Sequence, residues 1–167
     1  LGKILEDYTN NERGPSYIRL SGVPGYKKVY EKDYKYNFGR PVNLSHGKDI
    51  LILTYGSMVS QCVEASKLLK KKKISVELLN IHTIKPLNKN ILKSLKKFKK
   101  IVTVEEHSII GGLGSIISEI LTTNNLKSQL LKIALPDKFG PTGNYNYLLH
   151  FHGLVEKKIT KKILNFL

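Results

Sequence analysis

The residues fit for chemistry gather first in the stretch Val102 to Ser115, VTVEEHSIIGGLGS. Here Glu105, Glu106 and His107 run directly into a cluster of Gly111, Gly112 and Gly114. Two carboxylates beside an imidazole suggest proton transfer, and a histidine so placed has its charged form favoured, but no nucleophile accompanies it. Glycines that follow a strand and open a helix suggest a phosphate cradle built from backbone amides and the helix dipole. That cradle departs from both familiar patterns. Ile117 stands where a dinucleotide fingerprint has Gly or Ala, and Ser115 lacks the preceding Gly-Lys of a nucleotide-triphosphate loop. A third reading is a strand turning tightly into a helix, with the glycines allowing close packing on a sheet. A structural or interface role stands beside the catalytic one.

Two further loops carry candidate groups. NIHTIKPLN, from Asn80 to Asn88, offers His82 and Lys85 after another strand end, although a lone loop histidine often has a purely structural hydrogen bond. TYGSMVS, from Thr54 to Ser60, lacks the second glycine of a nucleophile elbow, so Ser57 reads as a helix N-cap. The five histidines and Cys62 show no metal-ligand spacing. No self-contained catalytic set emerges from spacing alone.

The elements that must position these groups follow a regular order from Gly39 onward. Pro41 to Ser45 reads as a strand, His46-Gly47-Lys48 as a turn and DILILTYG as a fully apolar strand, an antiparallel first pair. A helix with Met58, Cys62, Ala65 and Leu69 on one face follows, flanked by Val59 and Val63, and then the strand ISVELLN. Asn88 is expected to cap a third unit with Ile91, Leu92, Leu95 and Phe98 inward, leading to a strand from Ile101 to Val104. The glycine cluster starts a helix that buries Leu113, Ile116, Ile117, Ile120 and Leu121. A strand from Leu130 to Ala134, a Gly/Pro/Asn loop and a last helix with Val155, Ile159, Ile163 and Phe166 inward complete the pattern. Strands alternating with helices predict an α/β fold: a three-layer α/β/α sandwich of about five strands, mostly parallel, the first antiparallel. Before Gly39 the sequence predicts a helix end (Ile4, Leu5, Tyr8), a short strand from Ser16 to Ser21 and a tyrosine-bearing linker to Phe38, where a domain boundary falls.

Composition narrows the classes. The 167 residues, 41% hydrophobic and 25% charged, describe an ordinary globular chain, and no apolar run is long enough to cross a bilayer. A single cysteine fits a reducing compartment, so a cytoplasmic location is expected. Lys+Arg 28 against Asp+Glu 13 gives a net charge of +15, yet only Arg13, Arg19 and Arg40 are arginines. Lysine runs on helix ends and outer faces read as solvated surface, with no specific nucleic-acid partner and no membrane. The chain opens at Leu1 without methionine, which suggests a piece of something longer.

Taken together, GPSYIRLSG, GKDILILTYGSMVSQCVEASKLL, ISVELLNIHTIKPLN, VTVEEHSIIGGLGSIISEIL and ALPDKFGPTGNYNYLLHFHGL resemble, in order and spacing, the C-terminal part of transketolase-family enzymes, in particular the C-terminal subunit of split transketolases. The resemblance implies that 1–38 is the end of a pyrimidine-binding domain plus linker and that 39–167 is a transketolase C-terminal domain. It further implies ketol transfer from a ketose donor to an aldose acceptor by thiamine diphosphate and Mg²⁺ in the complete enzyme. Neither cofactor nor a catalytic residue is expected on this chain alone. The implied partners are the missing diphosphate- and pyrimidine-binding domains or subunit, a second copy in a homodimer, and a sugar or sugar-phosphate substrate. Arg19, His82, Lys85, Glu105, Glu106, His107, Gly111, Gly112 and Gly114 are then substrate-proximal or interface candidates. Gly22 stands where sugar-phosphate transketolases carry a phosphate-binding arginine, which points to an unusual acceptor. The alternative is a non-catalytic regulatory, dimerisation or basic-surface binding module of the same fold.

Overall fold

A computed structural model describes residues 2–11, 14–18, 29–30, 34 and 36–167. Its centre is one five-stranded sheet of β1 (Val42–Ser45), β2 (Ile50–Thr54), β3 (Val76–Asn80), β4 (Lys100–Ser108) and β5 (Gln129–Leu135). The spatial order is β1-β3-β2-β4-β5, with β1 antiparallel and the other four parallel. β2, the middle strand, is wholly buried, as a run of five apolar or small residues covered on both faces should be.

Helices α2 (Met58–Lys71) and α6 (Glu156–Phe166) cover one face, and α3 (Ile91–Leu95) with α4 (Leu113–Thr123) cover the other. Met58, Val59, Cys62, Ala65 and Leu69 of α2 are buried at helical spacing, as the sequence pattern requires. Between β5 and α6 lies α5 (Tyr145–His152), which the sequence pattern does not reveal because only Leu149 of it is buried. The three-layer sandwich is therefore as expected.

Several details differ. β1 and β2 run antiparallel but do not pair, because β3 inserts between them. A short connection dictates direction, whereas the right-handed β2-α2-β3 crossover decides which strand becomes the neighbour. The β1 edge is fastened to β3 by side chains: Asn43 Nδ2 donates to Glu77 Oε1 (2.7 Å), and Gly47 N donates to Glu77 Oε2 (2.9 Å). α3 is a single short turn; Asn90 precedes it without a side-chain capping bond, while Asn88 Oδ1 accepts from Asn90 N at 2.8 Å, and Ile91, Leu95 and Phe98 are buried. In α4, Ile116 and Ile120 are only half-buried.

The amino-terminal segment forms α1 (Gly2–Asn10), none of whose residues is buried. Ser16 to Ile18 are not in a strand; the rest of the expected strand, with Arg19 and Gly22, lies outside the described residues. Linker tyrosines pack on the carboxyl end of β3. Asn80 Nδ2 donates to the Tyr30 hydroxyl at 2.6 Å, and the Tyr36 ring lies 5.0 Å from that of His82.

Candidate functional site

An open α/β sheet offers a crevice where successive crossovers leave in opposite directions, just beyond the carboxyl ends of the strands. Here that point lies between β2 and β4. The chain leaves β2 for α2 on one face and leaves β4 for α4 on the other. β4 runs on through Glu105, Glu106 and His107 to Ser108, so these side chains belong to the strand itself. Five residues of β4, from Val104 to Ser108, lie opposite three residues of β5, Ile133 to Leu135. Such a bulge bends the strand and re-aims its side chains.

Glu105 points inward and is completely buried. Its Oε2 accepts from Leu113 N (2.7 Å) and its Oε1 from Gly114 N (2.8 Å), the first amides of α4. The Tyr55 hydroxyl also donates to Oε2 at 3.3 Å. Burial, with the Glu105 charge and its hydrogen bond adding to it, pushes the Tyr55 hydroxyl up to about 12. A carboxylate on a helix N-terminus satisfies amides that otherwise lack partners and meets the positive end of the helix dipole. The glycines make room for it. A Cβ on Gly112 would collide with the Glu105 carboxylate, and one on Gly114 would lie 2.9 Å from Thr103 Oγ1 and 2.8 Å from Lys132 Cγ. Gly111 supplies a left-handed turn at φ 78°. The GGLGS segment has the geometry of an anion cradle, and its anion is the chain's own glutamate.

Glu106 faces the opposite side of the strand and is exposed. Its Oε2 accepts from Ser57 Oγ, at the start of α2, and from the Tyr145 hydroxyl (2.7 Å), at the start of α5. Ser57 occupies the N-cap position of α2 but its hydroxyl makes no capping bond, because it is turned to Glu106. His107 does not join this group; its Nδ1 donates to Ser108 O at 3.0 Å, on the exposed rim. A serine held by a carboxylate with no imidazole in reach is not a nucleophile set for acyl transfer. Tyr55, Ser57 and Tyr145 carry the crevice's polar contacts together with Glu105 and Glu106, and sequence reasoning did not join them. The signal was the strand order, which brings TYGS and EEH side by side only once β3 is known to cross over.

The second candidate pair lies apart, since β2 separates β3 from β4. His82 follows β3, and its Nδ1 contacts Thr83 Oγ1 at 3.0 Å. Burial holds its imidazole below the ordinary histidine value, against smaller opposing effects of backbone hydrogen bonds. Its Nε2 and Asn80 Oδ1 are buried without a hydrogen-bond partner among the described residues. Lys85 is exposed at a cis Lys85–Pro86 bond. Arg19 lies outside the described residues.

Known proteins with the same pattern now bear on this geometry. Residues 39–159 match the family of transketolase C-terminal domains. A Methanocaldococcus jannaschii protein named as a transketolase C-terminal section is 37% identical over 154 residues, covering 91% of this chain and 48% of that protein. A 1-deoxy-D-xylulose-5-phosphate synthase of Halothermothrix orenii is 37% identical over 147 residues, 84% of this chain and 23% of that enzyme. Among solved structures, a split-gene transketolase described as an inactive β4 tetramer superposes with a TM-score of 0.76 at 30% identity. That alignment covers 84% of this chain and 46% of the other. The chain belongs to the transketolase C-terminal domain family. It spans about half, or less, of the relatives it matches.

That family's enzymes depend on thiamine diphosphate. A diphosphate does not fit at α4, because Glu105 already occupies the amides and a second anion beside a buried carboxylate would be repelled. Among the described residues no three His, Cys, Asp or Glu side chains converge to hold a bridging metal ion.

Proposed function

We propose that this chain is the C-terminal part of a transketolase-type enzyme that moves a two-carbon ketol unit from a ketose donor to an aldose acceptor. Thiamine diphosphate and Mg²⁺ would be held by the diphosphate- and pyrimidine-binding parts, and this part would support assembly and the subunit interface. One observation carries the reading. The crevice in which such a sheet would bind a ligand is closed by Glu105 and Glu106, so the domain's outer surfaces are left to act. α1 fits the same reading, because none of its residues is fully buried and Leu5 is exposed, as expected of the end of another domain. Around the carboxyl end of the sheet, Ile110, Phe139, Tyr147 and Phe151 stand exposed, apolar groups suited to a neighbouring subunit. A closed two-fold pair is the commonest way to cover such groups. The 39–167 unit is proposed as the domain proper.

The test is reconstitution. The chain is assayed for ketol transfer with thiamine diphosphate and Mg²⁺, alone and after mixing with the polypeptide that supplies the other two domains. Activity is expected only in the mixture, with size-exclusion chromatography showing both polypeptides in one complex. Turnover by this chain alone, or a fully active enzyme without it, overturns the proposal.

A further inference from the structure

Away from the crevice, a groove runs between the edge strand β1 and helix α2. Its floor is apolar, formed by Val42, Leu44, Val63 and Leu78, and its volume is about 560 Å³. Tyr30 and Tyr34 wall one end, their rings stacked with centroids 4.1 Å apart. At the other end it adjoins a second hollow of about 310 Å³ that holds His46, Lys70 and Lys73. Ser45, Ser66 and Lys70 line both hollows. Volumes of this order suit a small organic ligand.

The electrostatics of the groove are one-sided. Lys67 and Lys70 line the groove and Lys70 and Lys73 the second hollow, and among the described residues no carboxylate lines either. The acids nearby are engaged: Glu64 pairs with Lys67 at 2.9 Å, and Glu77 holds Asn43, Gly47 and, at 3.7 Å, His46. Asp49 accepts from Ser75 N at 2.7 Å. Lys70 and Lys73 have no ion pair among the described residues.

Lys73 adds an independent observation. It sits just past the C-cap of α2 at φ 62°, in the left-handed region, where glycine is the residue without steric cost. Ile74 N closes the helix end on Leu69 O at 3.1 Å, so the turn needs a left-handed residue there. The chain places a lysine at that position, and its side chain lines the cationic hollow.

We propose that this groove binds a small organic phosphate with a planar ring, of the size and chemistry of a nucleoside diphosphate. The ring would rest on the apolar floor beside Tyr30. The phosphates would lie between Lys70 and Lys73, with the Ser66 hydroxyl as a donor, since that of Ser45 already donates to Val76 O at 2.9 Å.

Calorimetric titration of the 167-residue chain with ADP, adenosine and inorganic pyrophosphate, at about 150 mM salt to screen diffuse attraction, tests this. ADP is expected to saturate, with adenosine and pyrophosphate each binding roughly tenfold or more weakly. Ser66→Asp and Lys70→Glu should weaken ADP by a similar factor. Lys73→Gly is the discriminating variant: it should raise the Tm, because it relieves the left-handed strain, and yet weaken ADP binding. Absence of saturable ADP binding overturns the proposal. So does pyrophosphate binding as tightly as ADP, which would mean charge alone, or ADP affinity unmoved by Lys73→Gly.

Discussion

Replacing Glu105 by glutamine keeps the side chain's size and removes its charge, which makes it a direct test of the internal-anion reading. Both carboxylate oxygens accept from α4 amides, at 2.7 and 2.8 Å, in a completely buried position. An amide can accept only one of those bonds, and its NH₂ group would then face the other backbone N–H as donor against donor. Leaving one buried N–H unsatisfied costs about 1–3 kcal/mol, and the surviving bond loses its charge assistance, about 1 kcal/mol more. Loss of the charge at a buried helix N-terminus adds up to about 2 kcal/mol. The sum is about 2–6 kcal/mol. At about 2–4 °C per kcal/mol for a chain of this size, Tm should fall by at least about 4 °C. The control is Glu106→Gln, on the exposed face of the same strand, which should cost no more than about 1 kcal/mol. Urea denaturation followed by far-UV circular dichroism measures both, and amide exchange at Leu113 and Gly114 localises the effect. If Glu105→Gln and Glu106→Gln lower stability equally, the cradle has been misread. A second check uses Gly112→Ala, whose methyl would collide with the carboxylate. It should be markedly less harmful in a Glu105→Ala background than alone, a coupling that only direct contact produces.

Three other outcomes follow from the same structure. His82 has its imidazole value depressed in the fold, chiefly by burial, so its contribution to stability is present above the unfolded value and is lost as pH falls through the folded one. Denaturation midpoints should therefore decline on acidification below about pH 6.5, and His82→Gln should flatten that decline. Cys62 is fully buried and its thiol is pushed up to about 12, first by burial, so it should resist a thiol reagent in native buffer and react at once in urea. The exposed lysine runs at 70–73 and on α6 should give only weak, sequence-independent DNA binding, vanishing near 150 mM salt in a fluorescence-polarisation titration; selective binding that survives that salt refutes it.

How much of this was legible in the sequence depended on whether local pattern or chain crossing decided each feature. The apolar run of β2 and the helical spacing of Met58, Cys62, Ala65 and Leu69 require burial wherever the chain goes, and both are buried. The neighbour of β1 was not legible, because a three-residue turn sets direction alone and the β2-α2-β3 crossover inserts β3. α5 carried end signals: Asn144 accepts from Tyr147 N at 2.9 Å, and Gly153 caps the end at φ 72°. It lacked an apolar stripe, since its aromatic side chains Tyr147 and Phe151 face outward. The role of Glu105 was hidden for a different reason. Sequence shows a glycine cluster after two acids, but not that a bulge between Val104 and Ser108 turns one acid into the cradle and the next one out to Ser57 and Tyr145.

That bulge also accounts for why one motif suggested three kinds of chemistry. A helix N-terminus opened by glycines attracts whatever anion is geometrically available, and a strand that delivers a carboxylate there competes with any phosphate from solution. The intramolecular carboxylate has a standing advantage, because its approach costs no translational freedom once the sheet is formed. The result is a rigid seam joining β2, β4, α2, α4 and α5 through Glu105 and Glu106. Such a seam fixes the relative positions of the exposed loops at that end of the sheet, where Ile110 and Phe139 project. A surface that must match another subunit gains from this fixity, since less ordering remains to be done on association. On the reading proposed above, the paired glutamates influence the enzyme by holding that surface in shape, and they take no part in moving protons. Their loss should therefore lower complex formation and leave the turnover number of the complexes that do form unchanged.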